Sequence, residues 1–320
     1  MVSRERLVHT AESVARVATA RRTRAAGQLL LLVTLVFVLV RVRSIWQDSS
    51  IELAGVDWWT LIGALLIAAA GVAASAFIWL VILERLGLRT RPRWVSIFFQ
   101  AQLAKYIPGS VWQYAGRAAL ARRWGLPMRP VAISIPVELG ASIAAGVIVS
   151  ALLLGWWGVL IAAAALLICV LLARRVDRTG IRLHRELAVA GSVVPFYAAA
   201  WVVIGASFWL TADALLSVPA SQFLFYVGAF VASWIVGLVA IYAPGGIGVR
   251  ESVMVALLYS RIGSGNALAV AAASRAMLTL IDVGYAGVAF LFLRRGDPST
   301  LGPDATLPPV PSDPREPVAP

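Results

Sequence analysis

The chain has 320 residues, 60% of them hydrophobic and only 14% charged, with a net charge of +12. Soluble domains usually carry about 25% charged residues. Apolar runs near 20 residues long recur without the alternation of a β-barrel, which predicts an all-α polytopic membrane protein and leaves too little chain for a separate catalytic domain. Of the 28 basic residues all but Lys105 are arginine. They flank apolar runs, a pattern that fits anionic headgroups and membrane topology and speaks against nucleic acid as a partner.

Residues 1–27 hold six arginines and form a basic segment expected on the cytoplasmic leaflet. Span 1 is expected from Gln28 to Trp46, followed by an acidic loop, and span 2 from Trp58 to Leu83, followed by Arg85, Arg89, Arg91 and Arg93. Residues 94–120 are broken at Pro108-Gly109, and each half is too short for a ~30 Å hydrocarbon core. Basic flanks on both sides predict a re-entrant hairpin. Span 3 is expected over Val131–Leu154, a tryptophan-bearing turn at 155–158, span 4 to Ala173, then a basic loop containing His184. Span 5 covers Leu187–Leu210, with an outer link from Thr211 to Ala220. Residues 221–260 form the second broken element, its first half long enough to cross alone. Span 6 runs from Asn266 to Leu293. The tail from 294 to 320 carries eight prolines and is expected to be disordered.

Basic residues per loop yield six full spans and two broken helical hairpins, or eight spanning helices if the second element crosses. Both termini then lie in the cytoplasm. In the hairpin arrangement, residues 58–154 and 187–293 form an inverted repeat within a transmembrane domain of residues 28–293. Two broken elements meeting at the midplane are a recurrent transporter design.

Chemistry is expected where backbone breaks and buried charges coincide. The stretch Tyr242-Ala-Pro-Gly-Gly-Ile-Gly-Val-Arg-Glu251 carries Pro244, the glycines Gly245, Gly246 and Gly248, and Arg250 beside Glu251. A weaker echo, Lys105-Tyr-Ile-Pro-Gly-Ser110 followed by Arg117, includes Tyr106, Pro108 and Gly109. Each break starts a short helix whose free N–H groups favour an anion, and arginine suits phosphate. The glycines could instead serve close helix packing. Charges inside spans are costly, about 2.5–3.5 kcal/mol at the centre, so Glu138, Arg275 and Asp282 are expected to face the interior. Together with Glu251 they would form or switch the ion pairs between states. Glu138 and Arg275 occupy equivalent places in the repeat, and this predicts a pair across the pseudo-axis. On span 6, Arg275, Thr279 and Asp282 share one face; on span 3, Ser134, Glu138 and Ser142 do. Such pairs could equally be purely structural.

One cysteine, Cys169, and two histidines, His9 and His184, form no metal or catalytic set. There is no nucleotide-binding loop and no Ser/His/Asp set. No metal, cofactor or enzymatic activity is expected.

At these motifs the chain resembles the flippase-like transmembrane domain of lysylphosphatidylglycerol synthases, also called multiple peptide resistance factors. The residues carrying the resemblance are Lys105–Trp112, Gly116-Arg117, Glu138, Pro244–Glu251 and Arg275. It implies a lipid-moving domain that would sit in the cell membrane. The family commonly has Glu-Arg and a nearby Asp after the first motif. Here Leu139 follows Glu138, and Ser142 stands near the place of the Asp. The aminoacyl-transfer domain has no counterpart in this sequence, so lysyl transfer is not expected.

The expectation is a protein that binds an anionic membrane lipid and flips it between leaflets. Lys105, Tyr106, Arg117, Tyr242, Gly245, Gly246, Gly248 and Arg250 would contact the headgroup, with Arg250 facing Arg117 across a shared cavity. The alternatives are a non-transporting scaffold for a separate lipid-modifying enzyme, and a transferase acting on a polyprenyl-linked sugar.

Overall fold

The computed structural model describes residues 51–107, 112–155, 184–239, 246 and 248–294. All belong to one of the two units into which the chain divides, Ile51–Pro320. The basic N-terminal segment, spans 1 and 4 and the proline-rich tail lie outside these residues, as do the helix-breaking Pro108, Gly109 and Pro244, and Tyr242 and Gly245.

Eight α-helices and no strand occur among the described residues: α1 Trp58–Arg85, α2 Val95–Gln102, α3 Trp112–Arg123, α4 Met128–Leu153, α5 His184–Leu216, α6 Phe223–Val239, α7 Val249–Ile262 and α8 Ser264–Arg294. Helices α1, α4, α5 and α8, and the segment Ala220–Leu238 that contains α6, are long and apolar enough to cross a membrane. The protein is an all-α polytopic membrane protein.

Spans 2, 3 and 6 appear as α1, α4 and α8. Span 5 is longer than expected: α5 continues through Thr211 and Asp213 to Leu216, so most of the expected outer link is helical. Thr211 and Ala214 are buried there, and packing extends the helix beyond the apolar run. His184 is the exposed first residue of α5 rather than a loop residue. The first arm of the first hairpin is also not one helix. After eight residues α2 tightens into a 3-10 turn, Leu103–Tyr106, ahead of the break.

Helices α1 and α5 pack along their length and run antiparallel. Arg185 donates to the carbonyl of Arg85 at one end, and the N–H of Asp57 donates to the carbonyl of Ala214 at the other. Glycines permit close approach: a Cβ on Gly71 of α1 would collide with Ile204 of α5, and one on Gly205 would meet Val227 of α6.

These two contacts define the ends of the bundle. At the Arg85 end, Leu83, Leu88, Trp94, Ala121 and Leu126 share one apolar cluster, so the first hairpin, α2 and α3, opens toward that end. At the Ala214 end, Trp209 meets Phe223 at the start of α6, and Arg261 near the end of α7 lies 3.8 Å from the Phe225 ring centroid. The second hairpin, α6 and α7, therefore opens toward the opposite end. Packing follows the same symmetry. α2 packs on α8 as α6 packs on α4, and α1 contacts α4 as α5 contacts α8. Among the described residues the elements of the two halves thus make matching contacts in reversed orientation.

Candidate functional site

A cavity of about 180 Å³ lies between the two hairpins and the long helices. Its walls come from the middle of the long helices: Val72 and Ser75 of α1, Glu138 and Ser142 of α4, Tyr197 to Ile204 of α5, and Arg275 to Asp282 of α8. The first hairpin adds Gln102, Lys105, Tyr106, Tyr114 and Arg117; the second adds Phe230, Trp234, Gly237, Gly246 and Arg250. Its lining combines charged side chains with aromatic and apolar ones, among them Trp201 and Trp234, 4.3 Å apart between ring centroids.

Among the described residues, three ion pairs hold this region. Lys105 Nζ lies 2.6 Å from Asp282 Oδ2, joining the tip of the first hairpin to α8. The Tyr106 hydroxyl donates to the same oxygen at 2.7 Å, with Thr279 Oγ1 3.1 Å away. Asp282 is buried and accepts from both partners. The face read on span 6 is real: Arg275, Thr279 and Asp282 all line the cavity.

Arg117 of α3 pairs with Glu138 of α4 through both guanidinium nitrogens. It is 1% exposed and sits among aromatic rings, its guanidinium carbon 4.3 Å from the Phe98 centroid and 5.1 Å from that of Trp79. The Tyr114 ring completes the cage at 5.7 Å. Trp79 is itself fixed, donating to Ser134 Oγ at 3.0 Å. Cation–π contact and a charge-assisted fork together lock this arginine.

Arg275 of α8 donates to Glu251 Oε1 at 2.6 Å. The other oxygen of Glu251 accepts from the N–H of Gly248, the N-cap of α7, at 2.7 Å. Glu251 is thus half of a capping box, the reciprocal half being absent because glycine has no side chain. Gly248 has φ +83°, which a side chain disfavours, while a Cβ there would meet nothing within 4 Å. Its need for glycine is conformational. Gly248 is exposed and does not line the cavity, so it is not brought to the expected headgroup site.

The expected pair of Glu138 with Arg275 does not form. Each residue pairs within its own half, with a partner on the helix just after the break. The partners stand 21 and 24 residues apart in sequence, close enough for the α3–α4 and α7–α8 turns to bring them together. The two pairs occupy equivalent places with reversed charge: base then acid in the first half, acid then base in the second. Arg250 and Glu251, adjacent in sequence, do not pair either, because successive helical residues point to different faces.

Arg250 stands apart. It is half-buried, makes no ion pair or hydrogen bond to another described residue, and its Nε is shut off from water. Its guanidinium carbon lies 5.7 Å from the Phe230 centroid. The stem fits between two glycines. A Cβ on Gly237 would collide with it, and a Cβ on Gly246 would stand 3.0 Å from Arg250 Cδ and 3.2 Å from Gly237 Cα. Gly246 therefore makes room for Arg250 and for the close approach of α6, and its φ of +69° also suits glycine. Arg250 and Arg117 line one cavity. The buried hydroxyl of Tyr197 also lines it and has no hydrogen-bond partner among the described residues.

Sequence reasoning missed the aromatic cage, Tyr197 and Gly237. Trp79 and Phe98 read as ordinary apolar residues of their runs. Gly237 had one available signal, a glycine inside an apolar helix seven residues before Pro244. Among the described residues no group of three His, Cys, Asp or Glu could hold a metal.

No family model, curated protein or solved structure matches the chain.

Proposed function

We propose that this membrane protein binds an anionic phospholipid or lipid-linked intermediate in the central cavity and moves it between leaflets. The carrying observation is Arg250, a cation held between two glycines at a cavity wall without a counter-ion among the described residues. A permanent charge at this depth is expensive unless something pairs with it. An anionic headgroup would do so, and the apolar wall of Trp201, Trp234 and Ile204 suits the adjoining glycerol and chain. Lys105 and Arg275, already paired, would shape the field around the headgroup; Arg117 is held as scaffold. The two hairpins opening to opposite ends give a headgroup at their tips a route to either leaflet. The cell membrane, with both termini cytoplasmic and the Arg-rich end inward, fits the distribution of charge.

The test is reconstitution into liposomes carrying a fluorescent anionic lipid. Inter-leaflet transfer should exceed that of protein-free liposomes and fall toward it in Arg250→Ala. Equal rates in all three samples would refute translocation.

A further inference from the structure

The charge balance of the cavity narrows the ligand. Four basic and two acidic side chains line it among the described residues, and Glu251 holds Arg275 from outside the lining. Lys105 is matched by Asp282, Arg117 by Glu138 and Arg275 by Glu251, one carboxylate for each cation. Among the described residues only Arg250 is left over. In the sequence, residues 108–111, 240–245 and 247 contain no Asp, Glu, Lys or Arg.

Resting on the lipid-binding reading above, we infer that the cavity selects a headgroup of one net negative charge, a phosphodiester monoanion attached to an apolar chain. A monoanion on Arg250 leaves the region neutral. A doubly charged phosphomonoester or a diphosphate leaves an uncompensated negative charge in a low-dielectric bundle, which disfavours its binding. A zwitterionic lipid brings an ammonium toward Lys105 and Arg275, where like charges repel. Two free oxygens of a phosphodiester match the planar fork of arginine. The Tyr197 hydroxyl is a neutral donor in the same cavity. The wall of Trp201, Trp234, Phe230 and Ile204 favours the phosphodiester of a lipid over a soluble one, because a free headgroup leaves that surface unburied.

The experiment uses the full chain in uncharged detergent and measures dissociation constants for five probes. They are phosphatidylglycerol, phosphatidic acid at a pH where its phosphomonoester is doubly charged, phosphatidylcholine, chain-free glycerophosphoglycerol and inorganic phosphate. Phosphatidylglycerol should bind at least about tenfold more tightly than each of the others, the equivalent of about 1.4 kcal/mol. Arg250→Gln should bring it to the level of phosphatidylcholine, and Arg250→Lys should retain part of the preference. Gly237→Ala, which keeps every charge and displaces Arg250, serves as the second variant and should also weaken the preference. Equal or tighter binding of phosphatidic acid, or a preference unchanged in Arg250→Gln, would overturn the inference. Equal binding of glycerophosphoglycerol would overturn its lipid component. Arg250-dependent binding without inter-leaflet transfer would refute translocation alone. Arg250-dependent transfer that favours phosphatidic acid would refute charge selection alone.

Discussion

The side chain of Arg250 occupies the space that a Cβ on Gly237 would need. One residue on α6 thus sets the position of a cation on α7. Gly237→Ala should displace the guanidinium without removing a charge. Overpacking of this kind costs about 1–3 kcal/mol. The variant should unfold at lower temperature than wild type and lose most lipid transfer. Gly140→Ala, at an exposed glycine of α4 with nothing within 4 Å of the new Cβ, is the matched control and should do neither.

Arg117 and Glu138 should behave as a structural pair. Arg117→Ala leaves a carboxylate uncompensated beside an emptied aromatic cage, and removing one partner of a buried pair costs about 3–5 kcal/mol. Thermal unfolding in detergent should show that loss. The double variant Arg117→Leu with Glu138→Leu should regain much of it, because no buried charge remains. A double variant as unstable as the sum of the singles would show that the pair is not coupled.

The inverted arrangement of the hairpins can be tested chemically in a Cys169→Ala background. Ser217 follows α5 and Arg261 lies near the end of α7, both exposed at the Ala214 end of the bundle. Arg89 is exposed at the opposite end. Single cysteines at Ser217 and Arg261 should react with an impermeant thiol reagent from the same side of the membrane, and a cysteine at Arg89 only from the other. Labelling of Ser217 and Arg261 from opposite sides would eliminate the second hairpin.

Asp57, at the head of α1, should give a pH signature. It accepts from the N–H groups of Trp59 and Thr60, and from Thr60 Oγ1 at 2.6 Å. The Thr60 side-chain hydrogen bond is the first cause holding its carboxyl below the ordinary value of 3.8. A depressed folded value means that the stabilisation is fully present above the unfolded value and is lost as pH falls through the folded one. The difference in melting temperature between wild type and Asp57→Asn should therefore be constant near neutrality and shrink below about pH 4. The effect should be modest, since the cap is exposed.

The layout of the bundle was legible because it rests on run length and charge bias, which act locally along the chain. The two breaks read at Pro108-Gly109 and at the triple-glycine stretch fall between described helices, α2 and α3 in one half and α6 and α7 in the other. The face formed by Arg275, Thr279 and Asp282 also followed from helical spacing alone. Pairing was not legible. Equivalent places in a repeat do not specify which carboxylate is nearer, and the turn between α7 and α8 brings Glu251 to Arg275 before Glu138 can reach it. Nor does helical period end at a polar residue: α5 runs past Asp213 because Ala214 and Thr211 are buried against neighbours. The aromatic cage and the Gly237 notch depend on which helices become neighbours, and no single segment carries that information.

The central claim is that Arg250, the cavity cation without a counter-ion among the described residues, carries the lipid headgroup. Inter-leaflet transfer of a fluorescent anionic phospholipid tests it most directly, measured on wild type, Arg250→Ala and Arg261→Ala at equal protein per liposome. Arg261, an exposed arginine on the same helix outside the cavity, controls for removal of an arginine together with its ring contact. Wild type and Arg261→Ala should transfer lipid at similar rates, with Arg250→Ala near the protein-free rate. Transfer by Arg250→Ala at the wild-type rate would contradict the account.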